Sequence, residues 1–180
     1  MSLATSALLE AARASIRPPS GRFRHPWLAP MPMEAQPDTS DGFKRGQYGA
    51  GLFHHDASEA SIELLHHEAF RPACEGSLLC LLDAMLPSGL VPRTLLPHKA
   101  RDLEPARPVL AQWAERICQH RPEGAEAWLR AHRVVDRLEC FVQWWRQTRM
   151  GPHGLFTAHS ARASGFDCDL LTAHLPTGAV

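Results

Sequence analysis

The chain has 180 residues, 44% of them hydrophobic and 21% charged, and its 19 Lys and Arg balance its 19 Asp and Glu. That length suits one domain with a real core, and the zero formal charge excludes the basic excess of a nucleic-acid binder. No apolar run approaches the roughly 18 residues of a membrane span.

The N-terminal MSLATSALLEAARASIRPP carries Glu10 inside its apolar stretch and no basic residue before it. It reads as an amphipathic helix over residues 2–17, with Leu3, Ala7, Leu8, Ala11 and Ala12 on one side, and not as a secretory signal. Pro18 and Pro19 stop that helix because proline lacks the amide donor a helix interior uses. Residues 18–51 form a long connection rich in Pro, Gly and Asp that also holds Phe23, Trp27, Met31, Met33, Phe43 and Tyr48. A disordered linker rarely carries so many large apolar groups, so a packed, functional loop is expected. Helical spacing then recurs over residues 57–67, 72–85, 106–120 and 125–149. The last of these carries Ala127, Trp128, Ala131, Val134, Val135, Leu138, Phe141, Val142 and Trp145 on its apolar face. No segment alternates strictly enough to be a strand. The expectation is an all-α fold of antiparallel helix hairpins.

Five cysteines are spread through the chain without a Cys-x-x-Cys pair: Cys74, Cys80, Cys118, Cys140 and Cys168. An odd, scattered set argues for small buried hydrophobes in a reducing compartment, and so for a cytoplasmic protein.

Four constellations carry chemistry. In YGAGLFHHDASEASIE, residues 48–63, two glycines free the backbone before Phe53, His54, His55 and Asp56. Asp56 is read either as the cap of the following helix or as a carboxylate at a pocket mouth that accepts hydrogen bonds from a hydroxyl-rich ligand. His55, Glu59, Glu63, His66 and His67 share a helix side, as metal ligands would. The second Glu-x-x-His of a di-iron bundle is missing, however, and a solvated, paired face is the preferred reading. In SGLVPRT, residues 88–94, Pro92 fixes the backbone while Arg93 offers a fork of donors to a carboxylate or to sugar hydroxyls. In GLFTAHSARASGFDCD, residues 154–169, Asp167 and Asp169 share a loop with Ser164, Gly165 and Phe166. A carboxyl against an aromatic ring keeps its proton more readily, which is what a general acid needs; the alternative is a pair of solvated loop acids.

Together, FRHPWLAPMP at 23–32, YGAGLFHHDASEASIELL at 48–65, SGLVPRTL at 88–95 and SGFDCD at 164–169 resemble the successive pocket loops of the mannosylglycerate hydrolase-like glycoside hydrolases. That family belongs to the clan of trehalases and processing α-glucosidase I. The resemblance implies part of an (α/α)6 barrel and an inverting α-glycosidase acting on a small α-linked sugar or glycoside; no cofactor and no metal are expected. It makes Asp167 the general acid and Phe166 its aromatic wall. Tyr48, Phe53, His55, Asp56 and Arg93 would bind substrate. His55 stands where the family commonly has tryptophan, and Cys168-Asp169 replaces the polar pair that follows the acid.

The resemblance implies a single domain over residues 1–180, the N-terminal portion of a barrel. It divides into a leading helix (1–18), a long loop (19–54), helical hairpins (55–150) and an acid-bearing loop (151–180). Six hairpins need roughly 200 residues, so the chain is expected to be a fragment without the general base. The expected partners are a small carbohydrate and either a C-terminal half or a second copy meeting exposed helix faces; nucleic acid and membrane are not expected. A non-catalytic helical module that binds carbohydrate or protein is the alternative.

Overall fold

A computed structural model describes residues 3–31, 50–96, 104–151 and 153–156. Among them run α1 (Leu3–Ser15), β1 (Ile16–Arg17), β2 (Trp27–Leu28), β3 (Leu52–Phe53), α2 (His54–Leu64), α3 (Arg71–Asp83), β4 (Thr94–Leu95), α4 (Leu110–Gln119), α5 (Ala125–Ala131) and α6 (Val134–Arg149). A single 3-10 turn, Glu68–Phe70, leads into α3. The architecture is mixed α/β, which corrects the expectation of an all-α molecule forming part of an (α/α)6 barrel. Among the described residues there are two antiparallel two-stranded sheets, β1 with β2 and β3 with β4. Their strands are two residues long, too short for alternation to register in the sequence.

The centre of the molecule is α3. Ala73, Cys74, Gly76, Ser77 and the run from Leu78 to Leu82 are all buried, as expected of a helix that is apolar all round. It packs against α2, α4 and β2. The approach of the β2 segment is unusually close: a Cβ on Gly76 would lie 1.9 Å from the Pro26 carbonyl oxygen. One turn face further along, the Ser77 hydroxyl accepts the Leu28 amide at 2.9 Å and donates to the Ala73 carbonyl at 2.7 Å. The aromatic content of the long connection is thereby explained for its described part. Phe23 and Trp27 are buried, with ring centroids 4.6 Å apart.

Two helices differ from the spacing-based expectation. In α1 it is Leu9, Ala12 and Ile16 just beyond it that pack on the core, while Leu8 is exposed. The single helix expected over 125–149 is two, because Arg133 takes a left-handed conformation (φ 50°) between α5 and α6. The apolar positions are consequently shared between two directions: Trp128, Val134, Phe141, Trp144 and Trp145 are buried, whereas Val135 is half exposed. Gly89, at φ 94°, lets the turn after α3 rest on α6, where a Cβ would meet the Cys140 carbonyl oxygen at 2.5 Å.

Beyond α6 the chain turns back, and Met150 bridges Phe156. No described helix is long and apolar enough to cross a membrane.

Candidate functional site

The segments singled out around residues 53–56 and 88–94 meet at one corner. β3 pairs with β4, Leu52 opposite Leu95 and Phe53 opposite Thr94, and α2 begins at the next residue, His54. His54 is only 1% exposed. Its backbone N–H donates to the Arg93 carbonyl at 3.0 Å, and its ring Nδ1 lies 3.2 Å from the same oxygen. The Arg107 backbone N–H donates to Nε2 at 3.1 Å. Nε2 is therefore the acceptor and Nδ1 carries the proton, which fixes the tautomer. Burial pulls the His54 pKa down to about 3, only partly offset by the bond to Arg93. The ring is neutral throughout the physiological range and acts as a positioning group.

Further backbone bonds complete the corner. Arg93 N–H donates to Glu104 at 2.8 Å and Ala106 N–H to Val91 at 2.7 Å. Three strands of chain, around residues 52–56, 91–95 and 104–107, are thus joined through one imidazole and one short ladder. Outside this frame, His55 is exposed, with Nδ1 3.5 Å from Arg107 Nη1. Asp56 is exposed in the first turn of α2. It does not cap the helix, whose N-cap is Phe53 without a side-chain bond. An acid in that turn still interacts favourably with the exposed amides of the helix start. Phe53 and Arg93 are half-buried.

Of the residues expected to form the site, Phe53, His55, Asp56 and Arg93 therefore gather at the corner, while Tyr48, Phe166 and Asp167 lie outside the described residues. His54 and Arg107 were missed as organising residues. The repeated histidine was the available hint for His54; Arg107 sits in a segment with no motif of its own.

The His/Glu stripe on α2 and the cysteines have structural surroundings, while the loop carrying Asp167 and Asp169 lies outside the described residues. Among the described residues no three His, Cys, Asp or Glu side chains gather as metal ligands. His66 instead packs edge-on against His120, ring centroids 4.6 Å apart. Cys74 and Cys80 are buried thiols whose pKa burial raises to about 11, so neither is an activated nucleophile. Cys118 is half-buried and Cys140 exposed. Asp83 binds Arg137 at 2.7 Å and His25 at 3.4 Å, tying α3 to α6 and to the segment before β2. A groove of about 890 Å³ lies away from the His54 corner, between the Pro87–Gly89 turn and the outward side of α6.

No family model matches this chain, and no curated protein or solved structure matches it significantly.

Proposed function

We propose that the chain is a glycoside hydrolase acting on a small α-linked sugar or glycoside, with the sugar held at the corner organised by His54. Asp56 and His55 accept and donate hydrogen bonds to sugar hydroxyls, Arg93 supplies a planar fork of donors, and Phe53 offers its ring edge or face. Asp167 is the general acid, backed by Phe166, and Tyr48 completes the ligand-binding group. Inversion of configuration requires a second carboxylate about 6.5–9.5 Å from the acid. Buried, unpaired thiols at Cys74 and Cys80 support a cytoplasmic setting.

The observation that carries this reading is the His54 linkage, which brings Arg93 beside residues 53–56 although some forty residues of chain separate them. Segments drawn from distant parts of a sequence and fixed by a buried, uncharged ring make a rigid polar edge. Such an edge is what hydroxyl recognition needs.

Calorimetric titration with α-linked disaccharides is expected to show saturable binding that weakens about 10–100-fold in Asp56→Ala, the loss of a charge-assisted hydrogen bond. With the second carboxylate supplied, turnover of the same glycosides is expected to fall about 10²–10⁴-fold in Asp167→Asn with binding retained. Absence of saturable binding by the wild-type chain would overturn the proposal. A second reading, a non-catalytic binding module, is favoured by the open groove along α6; it is distinguished by binding that persists without turnover and is indifferent to Asp167→Asn.

A further inference from the structure

The outward side of α6 is a stripe with an order to its chemistry. Val135, Glu139, Val142 and Arg146 follow one another at helical spacings of four, three and four residues, so they share one face. That face is turned from the core, which takes Val134, Phe141, Trp144 and Trp145. Val135 is 50% exposed and Met150, at the end of the helix, 43%. Glu139 and Arg146 are exposed, and Leu138 and Val142 half-buried. All of these except Met150 line the groove of about 890 Å³.

Glu139 and Arg146 stand equally far from the midpoint between Val142 and Gln143. An antiparallel copy of the same helix, centred on that midpoint, sets each glutamate against an arginine, twice over. The same register sets exposed Val135 against exposed Met150. A parallel copy would instead oppose like charges. Twofold pairing is isologous and closes on itself, so the complementarity is used up within a dimer.

We propose that this stripe is a self-association face, on which a second copy of the chain lays its α6 antiparallel, Glu139 of each copy against Arg146 of the partner subunit. The contact is a single helix pair, smaller than a standard interface, and micromolar association is the scale it supports.

The test is sedimentation velocity of the full chain from about 1 to about 200 μM, a range bracketing micromolar association. The wild type is expected to shift from monomer to dimer across that range. Glu139→Arg is expected to weaken the dimer about 10-fold or more, because each arginine then faces an arginine. Glu139→Arg combined with Arg146→Glu restores it, and an equimolar mixture of the two single variants forms a mixed dimer. Both positions are exposed, and unchanged thermal melts of the variants serve as the folding check. A wild type that stays monomeric over the whole range would overturn the proposal, as would a single variant that dimerises normally or a double variant that does not recover.

Discussion

At the scale of single residues, His54 has no free ring nitrogen: one end gives its proton to the Arg93 carbonyl and the other receives the Arg107 amide. A second proton would break the Arg107 bond and leave a charge in the interior. The unfolded chain has no such restriction and takes up the proton near pH 6.5, whereas the folded chain resists until about 3. The unfolded state thus binds more protons in that window. Stability from this residue is complete above about pH 6.5 and is lost as the pH falls, by up to about 1.4 kcal/mol per pH unit. His120 and His132 also have lowered pKa values, chiefly through desolvation, and act with the same sign. A comparison with His54→Asn isolates the contribution of His54. The variant keeps a donor toward Arg93 but leaves the Arg107 amide without its acceptor, and is expected to lose about 1–3 kcal/mol at pH 7.5. Its urea midpoint should also be flatter between pH 7.5 and 5 than that of the wild type; equal slopes would mean that His54 titrates normally. None of this is legible in the residues themselves. HHD offers two histidines, and the sequence reading favoured the second, because which one turns inward is decided by the β3–β4 pairing.

At the scale of elements, α3 depends on a segment almost fifty residues earlier in the chain. Ser77→Ala removes the acceptor of the buried Leu28 amide and is expected to destabilise the protein by about 1–3 kcal/mol in equilibrium unfolding. A loss near zero would show that the β2 segment is not anchored there. The break between α5 and α6 makes the opposite kind of prediction. Arg133 holds φ 50°, a conformation that costs a residue with a Cβ roughly 1–2 kcal/mol relative to glycine. Its ion pair with Asp136 is solvent-exposed and of little weight. Arg133→Gly is expected to raise stability by about 0.5–1 kcal/mol, even after the greater entropy of the unfolded chain. The helices were legible because the apolar spacing over 57–67, 72–85 and 106–120 survives into α2, α3 and α4 with ends shifted by a few residues. This break was not, since the apolar period runs through His132 and Arg133 with neither glycine nor proline to mark it. The strands were invisible for a related reason: each is a pair of residues whose partner is remote, as Leu52 and Leu95 are.

At the scale of the whole molecule, two surfaces divide the available chemistry. The corner at His54 is polar and joins the β3–β4 pair to the first turn of α2; the α6 stripe is apolar with one charge of each sign. Sequence motifs pointed to the first because its segments carry local patterns, the glycine-flanked FHHD and the Pro92-Arg93 pair. Of the second they showed only its excess of apolar positions, and not which of them face outward. The central claim is that the corner receives a sugar. The most direct measurement is a two-dimensional amide NMR titration of the wild-type chain with an α-linked disaccharide. The account predicts saturable shifts concentrated on Phe53, His54, His55, Asp56, Arg93 and Arg107. Shifts confined to α6, or none at any sugar concentration, would contradict it.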